Sequence, residues 1–146
     1  MLIKYEKLKT QDYNTIINLI KKLYKEDGNT KISTRKIKQT FSILSKYPDK
    51  GKIIVIKSNN QIIGYSILIN FYSNEYGGDI LNIDELYIEK QFRNKKIGTK
   101  FINFLKTQKI NGLQLEVNSK NKKALKLYKR LGFSENKNKN LYLELF

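Results

Sequence analysis

The spacing of apolar positions changes repeatedly along the chain, and each change marks an element. The opening "LIKYEKL" alternates and predicts a first strand. Tyr13, Ile16, Ile17, Ile20 and Tyr24 then recur at helical spacing, which predicts an amphipathic helix over residues 11–25, with Gly28 and Asn29 as stop signals. A second helix is expected over residues 33–46, with Ile37, Phe41 and Leu44 on one face and Pro48 just beyond its end. The period then shortens. "KIIVIK", the turn "SNNQ" and "IIGYSILINFY" read as a hairpin, "SNEYGGD" as a loop and "ILNIDELYI" as another strand. Helical spacing returns at Ile97, Phe101, Phe104 and Leu105. In "GLQLEV", Leu113, Leu115 and Val117 face one way and Gln114 and Glu116 the other. Ala124, Leu127, Tyr128 and Leu131 mark a last amphipathic helix that stops at Gly132, and "NLYLELF" reads as a closing strand. The predicted order is β-α-α-β-β-β-α-β-α-β-β, a mixed α/β sheet in one domain spanning residues 1–146.

Composition narrows the chemistry more than the fold. A chain of 146 residues, 40% hydrophobic and 12% aromatic, can bury a substantial core. No apolar run reaches membrane-spanning length and "MLIKYEKLK" lacks a signal-peptide core, so a cytoplasmic protein without a membrane partner is expected. Cysteine and histidine are both absent. That excludes disulfides, thiolate metal sites, a cysteine-linked acyl intermediate, and Ser/His/Asp or Cys/His catalysis; no metal is expected. Any catalysis runs on Asp, Glu, Tyr, Lys or backbone groups. The formal charge of +16 suits an anionic ligand, whether a nucleotide or RNA. It is carried mostly by Lys in a chain crowded with Asn, Ile and Tyr, a composition that A/T-rich coding alone produces, so the charge does not by itself assign a nucleic-acid partner.

The stretch "IDELYIEKQFRNKKIGTK" places two acids in an apolar run, then a basic turn, then a helix start at Ile97, Gly98 and Thr99. A helix N-terminus offers unpaired N–H groups and a positive dipole end, which suits a pyrophosphate. Glycines in such a turn allow positive φ. Here Asn94 tolerates that conformation and Lys96 tolerates it poorly, while Lys95 and Lys96 add charge. Taken alone, the segment reads more readily as a plain basic loop than as a phosphate cradle, since many strand–turn–helix junctions are basic and bind nothing.

A second segment separates the two. "LEVNSKNKKALKLYKRLGF" carries Asn121, Ala124, Leu127, Tyr128, Gly132 and Phe133 in the pattern strand, Asn before a helix, Ala, Leu-Tyr, Gly-Phe. This resembles the second half of the GCN5-related N-acetyltransferase (GNAT) family, and the upstream turn, Arg93 to Gly98, resembles that family's Arg/Gln-x-x-Gly-x-Gly/Ala cofactor motif, with Lys96 in the first glycine's place. The two lie in the right order, and the predicted elements match the family over almost the whole chain. The resemblance implies a GNAT-like fold, a mostly antiparallel mixed sheet flanked by about four helices. It also implies an acyltransferase that uses acetyl-coenzyme A as acetyl donor and an amine as acceptor. Backbone at Leu86, Tyr87 and Ile88 would pair with the pantetheine arm like an added strand. Amides of Arg93, Asn94, Lys95, Lys96, Ile97, Gly98 and Thr99 would hold the pyrophosphate; Asn121 would bond near the arm, and Tyr128 would point at the thioester sulfur.

A protonated amine must lose its proton before attacking a thioester, so a carboxylate within reach is needed. Glu85, on the strand before the cradle, is the first candidate; Glu116, on the neighbouring strand, is the second and matches a glutamate proposed as base in ribosomal-protein N-terminal acetyltransferases. Alternation sends Asp84 to the face opposite Glu85 unless a bulge intervenes. Each residue also has a plainer reading: Tyr128 as core, the acids as partners of abundant lysines, Asn121 as a helix cap. Two other functions fit the charge, a non-catalytic domain of this fold that binds nucleic acid or another polyanion, and a toxin-like acetyltransferase acting on aminoacyl-tRNA. No acceptor signature is visible, and look-alikes of this family commonly form homodimers.

Overall fold

The computed structural model describes residues 1–28 and 31–146; Asn29, expected to help end the first helix, lies outside the described residues. The order is β1 (Ile3–Lys7), α1 (Tyr13–Asp27), α2 (Thr34–Lys46), β2 (Gly51–Ser58), β3 (Gln61–Ser73), β4 (Gly78–Ile88), α3 (Ile97–Leu105), β5 (Gly112–Leu115) and α4 (Lys122–Arg130), with short 3-10 turns at Thr10–Asp12 and Lys90–Phe92. Local chemistry accounts for the boundaries. Gly28 ends α1 in the left-handed conformation, φ 67°. Ser33 caps α2 by accepting the Lys36 N–H at 3.2 Å. Asn59 and Asn60 take φ of 49° and 68° in the tight β2–β3 turn, as a two-residue hairpin requires.

The strands lie in the order β1-β2-β3-β4-β5. Every pairing is antiparallel except β4 with β5. One face packs against α1 and α2 through Ile16, Ile20, Ile37 and Phe41, which meet Ile53, Val55, Tyr65, Ile67 and Tyr87. On the other face Tyr5, paired opposite Ile56, stacks on Phe104 at 4.5 Å and meets Phe101 edge-on at 5.5 Å, and α3 buries Ile97, Phe101, Ile102 and Leu105. Burial on both faces explains why β2 and β3 read as apolar runs rather than alternations.

The chain forms two compact units, Met1–Glu116 and Val117–Phe146. In the second, Asn121 caps α4 by accepting the Ala124 N–H at 3.1 Å, and the Tyr128 and Phe133 rings meet edge-on at 5.6 Å. The observed order agrees with expectation through α4. The two strands expected beyond it do not form: residues 131–146 carry no strand pairing, and Leu141, Tyr142, Leu143, Leu145 and Phe146 are exposed. Alternation supplies faces for a strand but not the neighbouring backbone it must bond, and here apolar residues occupy both alternate sets. Among the described residues no helix is long and apolar enough to cross a membrane.

Candidate active site

The site is built where β4 leaves β5. The parallel ladder runs only from Ile80–Gly112 to Ile83–Leu115, whereas β4 stays paired with β3 as far as Ile88, opposite Gly64. The β3–β4 register skips one residue at the parting: Ile67 pairs with Glu85 and Leu68 with Ile83, leaving Asp84 as the extra residue of a bulge. A bulge bends its strand and interrupts alternation, so the opposition of Asp84 and Glu85 expected from a regular strand does not apply. Ser66, fully buried, pins the bulge by donating its hydroxyl to the Glu85 carbonyl at 2.8 Å.

Beyond the bulge β4 presents a free edge. The Glu89 N–H donates to Ile63 O at 2.8 Å, so residue 89 faces β3, and parity turns the backbone groups of Leu86 and Ile88 outward. The outward Ile88 carbonyl is already taken, accepting from Arg93 Nε at 2.7 Å. Arg93 also donates to Glu26 at 2.9 and 3.2 Å and lies 5.1 Å from the centre of the Tyr87 ring. Its guanidinium therefore ties α1 to the end of β4. Tyr87 itself is buried, and its hydroxyl reaches Glu26 at 3.5 Å.

The turn that follows adopts the geometry a glycine-rich cradle would have. Asn94 and Lys96 both take φ of 62°, and Lys96 is the N-cap of α3 despite its Cβ. Asn94, Lys95 and Lys96 are exposed, and Lys95 Nζ lies 5.4 Å from the centre of the Phe92 ring. Lys100 N–H begins the helical ladder by donating to Lys96 O at 3.0 Å, which leaves the N–H groups of Ile97, Gly98 and Thr99 without intrahelical acceptors. Gly98 does not owe its identity to φ or packing: a Cβ there would meet nothing within 4 Å. Its small size leaves room for close approach from outside.

Glu85 is held by two tyrosines. Tyr65, from β3, donates to one carboxylate oxygen at 2.7 Å, and Tyr24, from α1, donates to the other at 2.8 Å. Burial pushes its pKa up, the two phenols pull it down, and the Asp84 and Asp27 carboxylates push it up again. Burial and the Glu85 charge raise both phenols well above the ordinary tyrosine range, so they remain donors. Glu116 lies one residue past the end of β5 and is exposed. Partial desolvation, and then the Glu116 carboxylate, raise the pKa of Asp84. Asp84 thus feels Glu116 and acts on Glu85, whereas the Glu85 carboxylate itself is held between α1 and β3; Tyr128 and Asn121 belong to the second unit. The Tyr128 phenol is pushed up by burial. Tyr24, Tyr65 and Glu26 were not legible as site residues. Tyr24 reads as one more member of the helical stripe of α1, and nothing in the spacing shows that its hydroxyl reaches a residue 61 positions away. Among the described residues no group of three or more His, Asp, Glu or Cys side chains could hold a metal ion.

Comparison with known proteins agrees with this fold. Residues 49–135 match the family model of the acetyltransferase (GNAT) domain. An uncharacterized N-acetyltransferase of Methanocaldococcus jannaschii is 32% identical over 92 residues, covering 60% of this chain and 41% of the relative; the chain thus spans about two fifths of that curated protein's length. A possible acetyltransferase from Clostridium difficile 630 superposes with a TM-score of 0.85 at 22% identity, covering 100% of this chain and 99% of the other. Glucosamine-6-phosphate N-acetyltransferase from Arabidopsis thaliana does so with a TM-score of 0.71 at 21% identity, covering 100% and 99%. At these identities the structural likeness speaks for the fold.

Proposed function

Because the chain belongs to the GNAT family of acetyltransferases, we propose that residues 1–146 act as one domain that transfers acetyl directly from acetyl-coenzyme A to a primary amine. The observation that carries this reading is the open edge of β4 beyond Ile83, followed by a left-handed turn into the N-terminus of α3. Outward backbone groups at Leu86 and Ile88, flanking Tyr87, would receive the pantetheine arm by strand addition, with Leu86 contributing most because Arg93 occupies the Ile88 carbonyl. The first-turn amides of Ile97, Gly98 and Thr99 would take the pyrophosphate, helped by the charge of Lys95 and Lys96 and by the backbone of Asn94. Arg93 would serve this turn through its ion pair with Glu26 rather than as a phosphate ligand. Asn121 would contribute its amide group, its carbonyl oxygen being spent on the cap of α4.

Glu85 would accept the proton lost by the acceptor ammonium, directly or through one water, and Glu116 is the second candidate for that task. The amine nitrogen then forms its bond to the acetyl carbon, the carbon–sulfur bond breaks, and Tyr128 would give its phenolic proton to the departing thiolate. A phenol is protonated at neutral pH and so has a proton to give; burial, which pushes its pKa up, makes it a weaker acid rather than a stronger one.

The test is a thermal-shift titration with acetyl-coenzyme A. Native-state binding at a hundred times Kd stabilises a protein by roughly 2.7 kcal/mol. A saturable rise in melting temperature is expected; no rise at millimolar ligand sinks the reading. The basic residues of α4, Lys122, Lys123, Lys126, Lys129 and Arg130, favour a second reading, polyanion binding. RNA affinity that falls steeply with salt and ignores acetyl-coenzyme A would support that reading instead.

A further inference from the structure

Glu85 stands out for what does not pair with it. The chain has 29 Lys and Arg residues, yet among the described residues none forms an ion pair with this carboxylate. Its neighbours Glu26 and Glu89 are paired, with Arg93 at 2.9 Å and Lys22 at 2.9 Å. Glu85 instead receives two neutral donors, one phenol on each oxygen. An ammonium partner would neutralise the carboxylate and compete with an incoming substrate ammonium. Toward an ionised carboxylate, which has no proton to give, a neutral phenol can only donate, so the two hydroxyls hold both oxygens in place and bring no positive charge. The acids that act on it, Asp84 on β4 and Asp27 on α1, add negative charge rather than cancel it. A buried phenol needs an acceptor, and Tyr65 alone could be satisfied by Glu85 in a purely structural arrangement. Tyr24 is only half-buried and could turn its hydroxyl to water, so its bond to Glu85 is not forced by burial.

We propose that Tyr24 and Tyr65 are positioning residues that clamp the Glu85 carboxylate as an uncompensated anion aimed at the acceptor ammonium. This rests on the reading of Glu85 as the base. A charge-assisted hydrogen bond is worth about one pH unit on the group that accepts it. Removing one takes stabilisation from the carboxylate, so Glu85 must then titrate at higher pH.

The experiment is a carbon-13 NMR titration of glutamate side-chain carboxyls in the full chain, with the Glu85 signal assigned by its loss in Glu85→Gln. Tyr24→Phe is expected to move the Glu85 midpoint up by about one pH unit. Tyr65→Phe should do the same; if that variant does not fold, Tyr24→Phe decides alone. An unmoved midpoint in the folded variants overturns the clamp. In parallel, coenzyme A release from acetyl-coenzyme A with ethanolamine as the primary-amine probe is followed by a thiol reagent, to which the chain, having no cysteine, adds no signal. An acid limb that moves with the carboxyl supports both clamp and base. A carboxyl that moves while the limb stays fixed keeps the clamp and removes Glu85 as base.

Discussion

Lys96 takes φ of 62° with no side-chain cap, in the place where the family's cofactor motif has glycine. The left-handed conformation costs an L-residue roughly 1–2 kcal/mol, and glycine returns part of that gain as unfolded-state entropy. Lys96→Gly is therefore expected to raise stability by about 1 kcal/mol in urea denaturation. Lys96→Ala keeps the strain, so equal stabilisation by both would show that φ is not the cause. At Tyr128 the expectation is kinetic. Tyr128→Phe removes a proton donor but little volume, so kcat should fall while the acetyl-coenzyme A Kd holds; an unchanged kcat removes the phenol from the mechanism. The conformational demand at residues 94–98 was legible from the motif. That Lys would meet it was not, since propensity argues against Lys there and the surrounding chain overrides it.

The decisive element is β4, which serves two partners along its first half and one along its second. Its far end relies on β3, where Gly64 lies opposite Ile88 with no room for a side chain: a Cβ would stand 2.3 Å from Tyr87 O. Gly64→Ala should cost about 1–3 kcal/mol, in the range of overpacking, and should speed amide exchange at Glu89, whose N–H bonds Ile63 O. Loss of stability with Glu89 exchange unchanged would place the clash elsewhere. The strand itself was evident from "ILNIDELYI", but its bulge was not. Asp84 is an ordinary strand position by pattern, and becomes the extra residue only through the register β3 imposes.

At the scale of the molecule, 29 basic residues against 13 acidic ones make self-repulsion a standing cost. Raising ionic strength from about 10 mM to about 1 M shortens the Debye length from about 30 Å to about 3 Å. The melting temperature should rise across that range in sodium chloride and equally in potassium chloride. A fall would mean that pairs such as Lys57–Glu6 at 3.0 Å and Arg93–Glu26 at 2.9 Å outweigh the repulsion.

The elements of this protein were determined by the sequence itself, because helix and strand periods, the Ser33 cap, the Gly28 stop and the Asn59-Asn60 turn are decided by neighbours within a few residues. The family, too, was legible from residues 115–133 read with the turn at 93–98. Only the tertiary structure decided how the site is held. Tyr24 and Glu85 are 61 residues apart, Tyr65 and Glu85 20 apart, and Glu26 and Arg93 67 apart. The same holds for what failed to form: residues 140–146 have a strand's pattern, but a strand exists only against another backbone, and no local pattern says where that backbone will be.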